Sequence, residues 1–440
     1  GQLKLIDFGL ASRLSQETQS PRHPNRLEGT LAYMSPEQTG RMNRGLDHRT
    51  DFYSLGVTFY QLLTGQLPFP TDDALMLVHS HLARQPLSPC DLNPTAPKPV
   101  AEIIMRLLAK NAEERYQSAF SLKRDLETCL RQWQATGQID PFPLHQQDVS
   151  SQFQVAQQLF GREAEIEQLL AAFARVSQGA SEAMMVTGYA GIGKSALVQE
   201  VYKPITERCG YFIAGKFDQM QRDIPYASLI QAFGQLVRQL LTESETAIAG
   251  WRAKLLAALE DNGQVLIDVM PEVELIIGAQ PAVPHLPPAE AHNRFHHVLQ
   301  NFVRVFTQPE HPLVLFLDDL QWADNASLHL LELFMTAADS AYLFLIGAYR
   351  TNEVDEGHPL TLTLQRMRAG EHRLLTIELA PLALPHVTQL VADTLRTTCA
   401  EAESLARLVL AKTDGNPFFI NEFLRALHVE GHVRFDDQQV

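Results

Sequence analysis

The chain is 440 residues long, 45% hydrophobic and 20% charged, with a formal net charge of −15. That length gives room for roughly two to four domains. The acidic balance counts against nucleic acid held through a broad electrostatic field, which needs the opposite sign, and leaves only a local basic patch, which nothing in the sequence advertises. Cys90, Cys129, Cys209 and Cys399 lie far apart without C-x-x-C spacing, so they read as reduced core residues rather than a disulfide frame or a zinc site.

In chain order, LKLI (3–6) suits a buried strand, and DFYSLGVTFYQLLTG (51–65) is apolar nearly all round, as a core helix is. VAEIIMRLLAK (100–110) and SLKRDLETCL (121–130) carry apolar residues at helical spacing. Residues 132–158 are rich in Gln, Ser, Asp and Pro and read as a linker. From Phe160 the pattern alternates. Apolar strands are expected at AMMVTG (from Ala183), YFIAGKF (from Tyr211), LVLFLDD (from Leu313) and YLFLIGAY (from Tyr342), with helices between. Continuous apolar strands separated by helices predict a parallel sheet covered on both faces. Only helices follow from about Pro385, with DGNP (414–417) as a helix stop and restart. The apolar runs are far shorter than the ~20 residues of a membrane span. No signal peptide precedes the first domain, so a cytoplasmic location is expected. Gly1 in place of a starting methionine, and a helical pattern still running near Val440, read as a piece of a longer protein.

GYAGIGKS, from Gly188 through Gly191 and Gly193 to Lys194 and Ser195, fits G-x-x-x-x-G-K-[ST]. Glycines let backbone N–H groups turn inward around phosphate oxygens, and a helix opening at the end of the loop, through Ala196, favours the anion. Lys194 would reach the β- and γ-phosphates of ATP, and the Ser195 hydroxyl would ligate Mg2+. Asp318 ends an apolar strand, where open α/β sheets bind ligands, and is the second magnesium candidate. Asp319 would orient or deprotonate the attacking water, and Arg350, ending the next strand, would sense the γ-phosphate. His292, His296 and His297 include an i, i+4 pair, but no Glu stands in the H-E-x-x-H position. The segment fits an exposed helix, and no metal beyond magnesium is expected.

These residues resemble the STAND branch of the AAA+-like signalling ATPases. FGRE (160–163) is similar to the motif that opens such domains, which places Arg162 beside the adenine. LDDLQWAD (317–324) is similar to their extended acidic motif, and GNP (415–417) to their G-x-P turn, which assigns Pro417 to the nucleotide. The resemblance implies an ATP-dependent switch that cycles between closed and assembly-competent forms, a nucleotide-dependent homo-oligomer among them.

The first part resembles the eukaryotic-type Ser/Thr protein kinases. Asp7-Phe8-Gly9 is followed by GTLAYMSPEQ (29–38), by Asp51 in TDFYSLG and by Arg115 in NAEERYQSA. The resemblance gives Asp7 a magnesium between the ATP phosphates, and Glu37 and Arg115 a buried ion pair bracing the substrate-binding segment. It has Asp51 hold catalytic-loop backbone from inside its helix, and Thr30 face the catalytic base. Ser15, Thr18 and Ser20 fall in the activation segment. No H-R-D occurs in these residues, so this chain is not expected to phosphorylate anything by itself. Lacking upstream helices to pack on, the 51–65 helix is expected to leave several Leu, Phe and Tyr side chains in water, and 1–131 to be loosely packed.

The joined halves resemble large bacterial hybrid kinases in which a Ser/Thr kinase precedes a STAND-type ATPase; GYFIAGKFDQMQRDIPY (210–226) is similar to the stretch that follows the phosphate loop there. The expected organisation is a mainly α C-lobe kinase part (1–131), a linker (132–158), an α/β P-loop ATPase core (159–380) and the start of an α-helical subdomain (381–440). The implied partners are ATP, and protein substrates or downstream signalling modules of the full-length protein, with no nucleic acid and no membrane segment. A STAND transcription regulator would need a helix-turn-helix module that these residues lack. A scaffold that binds nucleotide with negligible turnover is the other alternative.

Overall fold

The computed structural model describes residues 31–39, 46–71, 74–82, 84–144, 155–156, 158–201, 204–205, 210–221, 224–241, 243, 245–337, 340–369 and 373–433. Asp7, Phe8, Gly9, Thr30, the activation-segment hydroxyls and Cys209 lie outside them. The chain divides into two compact units, one formed by Gly1–Asp72, Leu77–Gln152 and Asp436–Val440 and the other by Asp73–Met76 and Phe153–Phe435.

The first unit is helical. Helix α1 (Arg49–Thr64) ends where Gly65, at φ 76°, turns left-handed and donates its N–H to the Gln61 carbonyl. Helix α2 (Lys98–Leu107) and helix α3 (Ala119–Thr136) supply the rest of the frame. Phe52 packs with Ile103, Leu107, Tyr116, Leu122 and Cys129, while Tyr53, Val57 and Tyr60 pack with Ile104 and Leu108. Two sequence expectations change here. Of the Leu, Phe and Tyr side chains on α1 only Leu62 is exposed, because α2 and α3 together with Tyr33, Leu67 and His81 cover the rest. The linker is also shorter: α3 runs into it, and Ile139, Phe142 and Leu144 fold back onto the same core, so apolar residues spaced too irregularly for a helix still add burial.

The second unit is a three-layer α/β domain with a helical subdomain. Helix α4 (Glu163–Val176) leads to β1 (Glu182–Thr187), which runs through the glycine loop into α5 (Lys194–Gln199). Then come β2 (Tyr211–Lys216), α6 (Ala227–Leu240), α7 (Pro288–Phe306), β3 (Leu313–Asp318), α8 (Asn325–Thr336), β4 (Leu343–Tyr349) and β5 (Arg373–Glu378). The order across the sheet is β2-β3-β4-β1-β5, and every pairing is parallel.

Alternate residues divide between the faces, as the two-residue period of a strand requires. Ala183, Met185, Leu313, Leu315, Leu317, Leu343 and Leu345 join Phe233 of α6 and Phe302 of α7 on one face. Met184, Val186, Val314, Phe316, Phe344 and Ile346 join Phe173 of α4 and Leu197 of α5 on the other. Burial on both sides is why β1, β3 and β4 read as unbroken apolar runs. Strand β5 was absent from the sequence expectations. It is an edge strand of which only Ile377 is buried, so its apolar signal is weak.

Helices α9 (Leu384–Leu395), α10 (Cys399–Thr413) and α11 (Pro417–Val429) form the subdomain, and Val155 and Phe160 join its core. The break after α10 falls at the DGNP stretch. Asp414 and Gly415 are left-handed, at φ 50° and 74°, Asn416 caps the next helix through its side chain, and Pro417 fills the first helical position.

Candidate phosphate-binding site

Five parallel strands point their carboxyl ends to one side, and loops from four of them build the site there. After β1, Gly188, Gly191 and Gly193 take φ values of 146°, 74° and 100°. At Gly191 the requirement is double: a Cβ would also stand 2.7 Å from the Phe418 Cβ. Lys194 is buried, and its Nζ donates to the carbonyls of Gly188 at 3.1 Å and Tyr189 at 2.9 Å, folding the loop around the ammonium. Burial lowers the Lys194 pKa, while Asp318 and Asp319 pull it back up.

Ser195, in the first turn of α5, donates its hydroxyl to Asp318 Oδ2 at 2.9 Å. This contact joins residues far apart in the chain and puts a hydroxyl and a carboxylate side by side at the mouth of the loop. Burial raises the Asp318 pKa and the neighbouring charge of Asp319 adds to the rise; the Ser195 hydrogen bond opposes both. Ala196 follows, half-buried, on the same helix.

Asp319 adopts a left-handed backbone at φ 55° that ends β3 abruptly. Its carboxylate is buried and already occupied. Gln321 Nε2 donates to Oδ1 at 2.9 Å, Arg350 Nε lies 3.5 Å from Oδ1, and Lys216 Nζ lies 3.4 Å from Oδ2. Arg350 is itself held by Glu353 at 2.8 Å and by the Trp322 ring, 5.1 Å from the guanidinium carbon.

The subdomain reaches the loop directly. Asn416 Nδ2 donates to the Ala190 carbonyl at 2.9 Å, and the Phe418 N–H donates to the Gly191 carbonyl at 3.3 Å. Pro417 therefore sits between two residues that grip the phosphate loop. Arg162 makes its contacts beside the start of the loop rather than with the loop itself. Its buried guanidinium donates to the Ala380 carbonyl at 2.5 Å and lies 3.5 Å from Glu165, so in this state it ties the FGRE segment to the chain after β5.

Of the α7 histidines, His292 and His297 are exposed as expected and His296 is not. The helix is amphipathic rather than exposed, and His296 is buried beneath it, with Nε2 2.8 Å from the Tyr226 hydroxyl. Burial pushes His296 down to about 4, and the charges of His292 and His329 act in the same direction.

In the first unit Glu37 and Arg115 form a forked pair at 2.6 and 2.8 Å, both side chains buried. Arg115 also donates to the carbonyls of Ala109, Arg49 and Lys110, and Thr50 donates to Glu37. Burial alone would raise the Glu37 carboxyl, but Arg115 outweighs it and holds the pKa below the ordinary value. Asp51 lies exposed in the first turn of α1, and the catalytic-loop backbone that the kinase resemblance has it hold is not among these residues.

Comparison with known proteins agrees with this division. The protein kinase domain model matches residues 1–125, and the AAA ATPase domain model matches residues 158–346. The chain joins a protein kinase segment to an AAA ATPase domain. The hybrid signal transduction histidine kinase G of Dictyostelium discoideum is 33% identical over 92% of this chain and 14% of its own length. The serine/threonine-protein kinase Pkn1 of Myxococcus xanthus is 38% identical over 29% of this chain and 18% of its own. The chain thus spans less than a fifth of either relative. Among solved structures, the Aeropyrum pernix Orc1 protein in complex with DNA aligns over 64% of each chain at 15% identity, with a TM-score of 0.35, too low to bear on function. Among the described residues no helix is long and apolar enough to cross a membrane.

Motif reading did not single out Lys216, Gln321, Trp322 or Asn416. Gln321 and Trp322 stand inside the LDDLQWAD motif and Asn416 inside GNP, so the signal was present without a role. Lys216 likewise stands inside the GYFIAGKFDQMQRDIPY stretch (210–226), which was matched without a role for any one residue.

Proposed function

We propose that the second unit binds ATP with magnesium at residues 188–196 and hydrolyses it slowly, the bound nucleotide acting as a STAND-type switch within a larger Ser/Thr signalling kinase. The observation that carries this reading is the 2.9 Å contact between Ser195 and Asp318 at the mouth of the glycine loop. A hydroxyl and a carboxylate in that position are a fitting oxygen pair for magnesium, which when bound neutralises charge on the β- and γ-phosphates. Lys194 would exchange its two backbone carbonyls for phosphate oxygens. Asp319 would orient the attacking water once its carboxylate is free. Asn416 and Phe418, holding loop carbonyls from the subdomain, supply a physical route from the nucleotide to α11.

The test is magnesium-dependent ATP binding and turnover by the whole chain, with Lys194→Ala as control. Binding lost in that variant is the expected result; a folded wild-type chain that ignores ATP sinks the proposal. Asp319→Asn should bind normally and lose turnover. The crowding of Asp319 by Lys216, Arg350 and Gln321 favours one alternative, a nucleotide-binding scaffold with negligible turnover. In that case the wild type binds ATP and shows no hydrolysis for Asp319→Asn to remove.

A further inference from the structure

Lys216 is the last residue of β2 and stands in register with Asp318 on β3. Its side chain is 68% exposed, and its Nζ reaches Asp319 Oδ2 at 3.4 Å. Lys194, Lys216 and Arg350 thus surround the Asp318–Asp319 pair, and they are not equally committed. Lys194 is folded into its own loop. Arg350 is pinned by Glu353 and stacked on Trp322. Lys216 reaches the buried Asp319 carboxylate from the solvent side at 3.4 Å, on a flexible four-carbon stem that, among the described residues, neither a backbone acceptor nor a ring pins down.

We propose that Lys216 is a phosphate ligand that reads the terminal phosphate of a nucleoside triphosphate, separating triphosphate from diphosphate. This rests on the nucleotide site proposed above. A triphosphate laid along the glycine loop would direct its terminal phosphate toward Asp318, which would carry the magnesium, and toward Asp319, whose carboxylate would repel it. A mobile cation one strand away offsets that repulsion by leaving Asp319 for the phosphate oxygens. A diphosphate ends short of this position and gives Lys216 no anion to meet. The same exchange removes one of the contacts that occupy Asp319.

The experiment is equilibrium binding of a non-hydrolysable ATP analogue and of ADP, each with magnesium, to the whole chain and to Lys216→Ala and Lys216→Arg. Loss of a charge-assisted contact should weaken the analogue roughly tenfold in Lys216→Ala while ADP changes by less than about twofold. Lys216→Arg should keep most of the discrimination because it keeps the cation. A thermal melt guards against misfolding, which an exposed side chain at a strand end is not expected to cause. Equal weakening of both nucleotides, or no change in either, overturns the assignment while leaving the site intact. A wild-type chain that binds neither nucleotide overturns the site and this inference together.

Discussion

At the scale of single residues, the two carboxylates with opposite pKa shifts respond to acid in opposite senses. Glu37 is held below its ordinary value, so its contribution to folding is present above the unfolded carboxyl pKa and is lost as pH falls through the lower folded value. Acid should therefore loosen the first unit as the Glu37–Arg115 pair is protonated. Removing one partner at neutral pH does the same more sharply: Arg115→Ala leaves a buried carboxylate without its cation and should cost about 3–5 kcal/mol. Urea denaturation followed at the first unit measures this; a loss under about 1 kcal/mol would show the pair to be dispensable. Asp318 behaves the other way. Burial and Asp319 raise its pKa, so it takes up a proton at a higher pH than an ordinary carboxylate and the folded state gains stability as it does. Magnesium requires the ionised form. Magnesium-nucleotide affinity should accordingly begin to fall at a higher pH than an ordinary carboxylate ligand would give, and Asp318→Asn should flatten that profile at a weaker affinity. Titrations at several pH values check both points.

At the scale of elements, the turn between α10 and α11 joins subdomain to loop. Asn416 caps α11 by accepting the Phe418 N–H, and the same side chain donates to the Ala190 carbonyl. Asn416→Ala should cost about 0.5–2 kcal/mol through the cap alone. It should also raise hydrogen exchange of the 188–193 amides, which a purely local cap would leave unchanged. Gly415→Ala should be harsher, because its φ is 74° and a Cβ would stand 2.4 Å from the Leu382 carbonyl oxygen. What the sequence made legible follows from how local each signal is. Buried-through strands announce themselves by length and apolarity, and the glycine loop by its spacing, so β1, β3, β4 and the meeting of Ser195 with Asp318 could be anticipated. Strand β5 buries one residue and gives no such pattern. Lys216 and Asn416 stand inside matched stretches, but they reach their neighbours through sheet register and subdomain packing, which a local motif does not specify. The segment 139–144 looked like linker because three apolar residues without a period carry no periodic signal, although together they cover a core.

At the scale of the whole molecule, each unit owns its hydrophobic core. Phe52, Ile103 and Tyr116 close one, while the two faces of the sheet and the α9–α11 cluster close the others. Units with separate cores melt as separate cooperative transitions, and a ligand stabilises only the unit that binds it. Calorimetry of the whole chain should therefore show at least two transitions. Magnesium-ATP at a hundred times its dissociation constant should add about 2.7 kcal/mol to the unit holding the glycine loop, with the helical unit unmoved. Arg115→Ala supplies the complementary displacement: it should lower the helical transition and leave the nucleotide-dependent one in place. Lys194→Ala should abolish the ATP shift without moving the helical transition. If ATP instead raises both transitions together, the units are energetically coupled, and nucleotide bound at β1 is felt by the kinase segment through folding stability itself.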